Sequence, residues 1–272
     1  MKLHRRLHHA WHDSWAGRLW QRGGELELLH RAMGFAALGM VTLVPLLIVV
    51  AAAVPFRHHG FDQWVVDGMG LSARPAEAVQ KLFSAPRKVL SATSAFSVLA
   101  LALFGLSFAA SVETAYLKIW ELPSSPWHSQ WRRAVWLAAL TAYLFVEAQT
   151  GTFLRHGWID AFLRAGPAVL FGFLFFWWGQ RFLLGGQVSW AALLPGAVAT
   201  MLGLVGLRAF SSLVFSPLIV TNAVTYGSVG TVLIVQCWLI GVGFVVIGGA
   251  LLGRHVHDPR SFQRDPGGRR SL

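Results

Sequence analysis

Residues 191–215 read AALLPGAVATMLGLVGLRAFSSLVF, and residues 229–252 read VGTVLIVQCWLIGVGFVVIGGALL. The first stretch holds one charged side chain, Arg208, and the second holds none. Each exceeds the roughly 20 apolar residues that a helix needs to cross the hydrocarbon of a bilayer. Four further runs of that kind precede them, at 34–54, 90–111, 134–150 and 167–184. The third run carries Glu147 and Gln149, and the fourth ends on Gln180 and Arg181. The pattern predicts an all-α polytopic transmembrane bundle of six spans.

Composition points the same way. Of 272 residues, 55% are hydrophobic and 13% charged, against about 25% charged in an ordinary soluble domain. That balance, with a mean hydropathy of +0.53, excludes a soluble enzyme, a secreted disulfide scaffold and a disordered chain. The single cysteine, Cys237, lies in an apolar run and excludes an intramolecular disulfide.

The formal charge of +11 has to be divided by side of the membrane before it is assigned to a partner. With both termini inside, 15 basic residues fall on the cytoplasmic side and 7 on the outer side, in accord with the positive-inside rule. An N-in, C-in orientation accounts for the charge without nucleic acid. The expected organisation is a basic cytoplasmic arm at 1–33, a membrane domain at 34–253 and a disordered basic cytoplasmic tail at 254–272. Leu3, Leu7, Trp11, Trp15 and Leu19 recur every four residues among Lys2, Arg5, Arg6 and Arg18, the pattern of a helix lying in an anionic headgroup layer. Residues 73–85 read as a short amphipathic outer helix packing through Ala78, Val79, Leu82 and Phe83.

Several stretches resemble one family. Phe35 with Thr42-Leu43-Val44-Pro45-Leu46-Leu47 resembles its Phe-rich first span and the turn that ends it. Ser107-Phe108-Ala109-Ala110-Ser111-Val112-Glu113-Thr114-Ala115-Tyr116-Leu117-Lys118-Ile119-Trp120 is similar to its signature of small residues, an acidic or amide position and a terminal Trp. Trp190 through Ala197, Tyr226-Gly227-Ser228-Val229-Gly230, Trp238 and Gly248-Gly249-Ala250 resemble its C-terminal half. The family is that of YihY/BrkB bacterial inner-membrane proteins, and the likeness covers about 25–253. Leu239-Ile240 departs from the aromatic that commonly follows the last-span Trp. The resemblance implies six spans and an inner-membrane location; transport of lipid-like or small molecules is among the roles proposed for the family.

An older label for such proteins, ribonuclease BN, requires clustered metal ligands. None of the 11 His falls in an expected span. His8 and His12 lack the Glu of H-E-x-x-H, and His255-Val256-His257-Asp258 lacks the closing His of a nuclease pattern. No G-x-x-x-x-G-K-[ST] phosphate loop is present. The expectation is a non-enzyme without metal or cofactor.

The candidate polar residues are those inside spans, where a charge costs about 2.5 to 3.5 kcal/mol and faces the bundle interior. Glu147 and Arg208 lead. A rise of 1.5 Å per residue puts them roughly 20 and 26 Å from the cytoplasmic starts of their spans, within reach of each other. They form a structural ion pair on one reading and bound a site for a headgroup or a proton on the other. Glu113, Gln180, Arg181 and Gln236 are weaker candidates. Small residues at Ala192, Gly196, Gly203, Gly249 and Gly253 favour close helix packing, within the bundle first and at a homodimer face second. The expected function is transporter-like handling of a lipid or other amphiphile, with membrane lipids, anionic at the cytoplasmic face, as partners. A non-transporting membrane scaffold is the alternative.

Overall fold

The structure, a computed structural model, describes residues 23, 24, 26–53, 66, 69–71, 73–83, 94–123, 126–150 and 158–258. No strand occurs among them. The helices are α1 (Leu28–Ala53), α2 (Ala73–Phe83), α3 (Ser94–Ile119), α4 (Pro126–Thr150), α5 (Trp158–Leu183) and α6 (Trp190–His257). The expected arm helix at 2–20 lies outside the described residues.

Helix α6 is hydrogen-bonded over 68 residues, yet it is folded back on itself. A Cβ on Gly253 would lie 2.6 Å from Gly196 Cα, one on Gly203 2.6 Å from Val245 Cγ1, and one on Gly241 3.0 Å from Leu207 Cδ1. These pairs share a midpoint near residue 224, so an outgoing and a returning leg run antiparallel. Pro217 lies on the approach to the reversal, where its missing N–H loosens the helix. Most of the small residues expected to bring helices together form the seam between these legs: Gly196, Gly249 and Gly253 meet across it, Gly203 takes the Val245 side chain, and Ala192 is buried nearby in sequence. The seam is internal to the chain.

The other helices pack in the same alternating sense. Gly105 meets Leu137 and Glu113 meets Ser129 between α3 and α4. Gly179 meets Trp136 and Gly172 meets the Tyr143 hydroxyl between α5 and α4. Gly196 meets Gln180, and Gly243 meets Phe35 and Ala32, which closes α6 onto α5 and α1. Phe35 and Phe108 stack edge-on at 4.8 Å between α1 and α3. Among the described residues, six antiparallel legs therefore form a ring in chain order. Three of them, Phe96–Ile119, Trp190–Phe215 and Val229–His257, are long and apolar enough to cross a membrane, while Leu28–Leu43 and Val169–Leu183 are shorter apolar segments among the described residues.

The outward faces carry Leu103, Leu170, Leu202, Leu213 and Leu233, each more than half exposed. So much contiguous aliphatic surface is suited to lipid rather than water. Several hydroxyls inside the legs are satisfied locally: those of Thr42, Thr114, Thr141 and Thr200 donate to the carbonyl four residues earlier, as suits a medium without water. Helix α2 is the amphipathic exception. It packs against α6, with Val79 fully buried; the side chains of Leu82 and Phe83, also expected to pack, lie outside the described residues.

Several expected boundaries shift: α1 begins at Leu28 rather than 34, inside the expected arm, α4 at Pro126 rather than 134, and α5 at Trp158 rather than 167. Helix α3 continues eight residues past the expected end at 111, because Val112, Ala115, Tyr116 and Ile119 are buried against neighbouring legs. The returning leg of α6 continues to His257, so Arg254 belongs to the bundle and not to a disordered tail. Arg254 donates to the Ile119 carbonyl and pairs with Glu121 at 3.0 Å, capping α3. Glu121 adopts φ +52° there, with Leu122 N–H donating to the Leu117 carbonyl at 2.9 Å, a left-handed helix end usually made by Gly.

Candidate functional site

The ring encloses a cavity of about 330 Å³. Every leg contributes: Phe35 and Leu46 from α1, Phe108 and Tyr116 from α3, Trp136 and Tyr143 from α4, Phe175 from α5, and Met201, Arg208, Val235 and Trp238 from the two legs of α6. The wall is predominantly apolar, and the Thr42 hydroxyl that lines it is already engaged with Leu38 at 2.7 Å. The Trp238 indole N–H is buried without a hydrogen-bond partner among the described residues. Of the lining residues, Val169, Val205 and Arg208 alone are exposed, and they mark the opening.

Arg208 is the charged lining residue. Its position is fixed by the turn before α2. Gly70 has φ +65°, and a Cβ there would lie 3.2 Å from the Arg208 carbonyl oxygen and 3.3 Å from its Cγ. The glycine lets that turn close over the arginine's stem while the residue remains exposed. The backbone of Glu147 is helical in α4, but its side chain lies outside the described residues. The expected Glu147–Arg208 pair is an expectation to be tested by experiment.

The weaker candidates separate into two groups. Glu113 is 1% exposed and accepts hydrogen bonds from Ser129 Oγ at 3.2 Å, Arg132 Nη2 at 3.4 Å and Arg133 Nε at 2.5 Å. The Glu113 carboxylate is thus a buried, multiply bonded group. Arg132 and Arg133 reach it across the α3–α4 hairpin, whereas Lys118 is exposed. Ser129 and Arg133 are functional-site neighbours that sequence reasoning misses, and the signal for them is the same hairpin that brings Arg132 to Glu113. Arg181 donates to the Val188 carbonyl and lies 4.9 Å over the Trp190 ring, bracing the α5–α6 turn. Gln180 is 1% exposed, packs against Gly196, and has neither amide atom hydrogen-bonded among the described residues. Gln236 is half-buried and is not among the cavity-lining residues. His257 ends beside Trp120, ring centres 6.4 Å apart; His8 and His12 lie outside the described residues.

An antiparallel ring of apolar legs with aliphatic outer faces and a hollow apolar centre defines a helical membrane protein. The sequence profile described as Virulence factor BrkB matches residues 19–271. The chain belongs to that family. Neither the curated proteins nor the solved structures contain a significant match to it.

Proposed function

We propose that the chain is a transporter-like protein of the bacterial inner membrane that holds a lipid or other amphiphile in its central cavity. The observation that carries this reading is the cavity itself, walled by every leg of the ring and carrying its charge, Arg208, at an exposed edge. Its volume is at the lower end of the roughly 300–1,000 Å³ of small-molecule sites. The apolar wall suits a hydrocarbon chain and disfavours a polar solute. Arg208 supplies a counter-charge for an anionic headgroup, with the Trp238 N–H as a donor deeper inside.

Six crossings with both termini cytoplasmic fit the alternation of the legs. Contacts of Arg132 with Gly185, and of Arg254 with Ile119 and Glu121, gather basic side chains at one end of the bundle. By the positive-inside rule that end is cytoplasmic, and the Arg208 opening faces the outer half. Anionic lipid at the basic end is the partner this orientation supplies.

The test is native mass spectrometry of gently solubilised protein, with identification of whatever copurifies with wild type, Val205→Trp, Arg208→Leu and Glu147→Gln. A single defined amphiphile, retained by wild type and lost from folded Val205→Trp and Arg208→Leu, supports the proposal. Bulk lipid alone, equal in all four proteins, sinks it and favours the scaffold reading. Glu147→Gln joins the lost group if its carboxylate bounds the same cavity.

A further inference from the structure

A second concavity, of about 420 Å³, opens at the basic end between the start of α4, the end of α5 and the start of α6. Trp131, Arg132, Trp178, Arg181 and Trp190 line it, with Gly186 at its edge. It shares no lining residue with the central cavity.

The charges here do not balance locally. Arg133 takes Glu113 at 2.5 Å and Arg132 reaches the same carboxylate at 3.4 Å, so one carboxylate serves two guanidinium groups. Arg132 Nε is buried without a hydrogen-bond partner among the described residues. Arg181 engages a carbonyl and the Trp190 ring, neither of which carries a negative charge. No carboxylate lines the concavity. Two planar guanidinium groups and no acid form a site for an anion, and the guanidinium fork matches phosphate.

We infer that this concavity binds the phosphate of an anionic phospholipid. The surroundings favour a lipid over a free phosphate. Trp131 and Trp190 are 56% and 42% exposed at its edges, and indole rings collect where headgroups lie. Leu194 and Val198, also exposed, continue outward from Trp190 on the first leg of α6 at the spacing of successive helical turns, giving an acyl chain an apolar track. Basic pockets between membrane helices on the cytoplasmic side take such headgroups.

Gly186 offers a test that leaves both arginines in place. Its φ is +73°, and a Cβ there would meet Arg181 Nη2 at 3.9 Å and nothing nearer. Asn and Asp both tolerate that backbone region, so Gly186→Asp and Gly186→Asn differ only in a carboxylate beside Arg181. Native mass spectrometry of the full chain in detergent is run with phosphatidylglycerol, phosphatidylcholine and inorganic phosphate as separate probes. Wild type and Gly186→Asn are expected to retain phosphatidylglycerol over phosphatidylcholine, and Gly186→Asp to retain about fivefold less. Equal retention by the Asn and Asp variants overturns the inference, as does equal retention of the two lipids by wild type. Inorganic phosphate that displaces phosphatidylglycerol assigns the site to a soluble anion and overturns the lipid source. Arg181→Gln is the second check should either substitution disturb the turn. Phosphatidylglycerol retention unchanged in that variant overturns the inference as well.

Discussion

The basic end of the bundle and its hollow middle use the same legs in opposite ways. At the basic end, side chains converge on two buried charges: Glu113 with Arg132 and Arg133, and Arg254 with the Ile119 carbonyl and the exposed Glu121 just past α3. In the middle, the same helices present Phe108, Tyr116, Trp136 and Val246 to an apolar cavity. The difference shows where a low-dielectric bundle can place polarity. Charges that share a partner can tie legs together at an end, whereas the hollow centre is lined mainly by apolar surface, with Arg208 kept to its exposed edge.

The largest effect expected from breaking this contrast is at Glu113. Glu113→Gln leaves two guanidinium groups without their shared carboxylate, and removing one member of a buried ion pair costs about 3 to 5 kcal/mol. Thermal unfolding in detergent should show a large loss of stability, and an unchanged midpoint would mean that the charged end does not hold the legs together. Gly253→Leu comes next. Its Cβ would lie 2.6 Å from the Gly196 backbone, where no flexible side chain can yield, so overpacking should cost about 3 kcal/mol. Wild-type stability in that variant would refute the folded-back seam.

Arg254→Gln is intermediate. It removes the charge-assisted bond to Ile119 and the pair with Glu121, worth about 2 kcal/mol together. A spectroscopic helix content equal to wild type with a lowered unfolding midpoint is the expected result. The smallest stability change is expected at the cavity opening, where Val205→Trp and Arg208→Leu alter exposed residues and should stay within about 0.5 kcal/mol. Those two variants sharpen the comparison, since they should lose a copurifying amphiphile while unfolding with wild type. Variants of the opening that instead unfold as readily as Glu113→Gln would erase the distinction between the two regions.

Much of this architecture is legible in the order of residues alone. Apolar runs too long and too uniform for a soluble core mark the legs, and the outgoing and returning legs of α6 match the expected runs at 191–215 and 229–252 within one residue at their starts and at 215. The amphipathic spacing expected over 73–85 marks α2, which is observed over Ala73–Phe83. The small residues of the α6 seam are visible in the sequence but their partners are not, because a four-residue spacing specifies a face and leaves open which helix covers it. Glu113 stands out without its environment for a similar reason: α3 has to extend past 111 and turn into α4 before Ser129 and Arg133 reach it. The Glu147 side chain lies outside the described residues, so the candidate resting on it keeps only its sequence argument.

The sequence by itself determined that the chain is helical, that its solvent is the bilayer, and which family it belongs to. Those properties follow from local composition, periodicity and ordered motifs, each contained within a few turns of chain. The tertiary structure alone decided that the legs close into a ring, that the ring is hollow, that Arg208 sits at its opening under Gly70, and that Arg132 and Arg181 share a concavity without an acid. Each of these depends on residues tens of positions apart meeting in space, and a hydrophobic pattern that is apolar on every face carries no direction that would have named the neighbour.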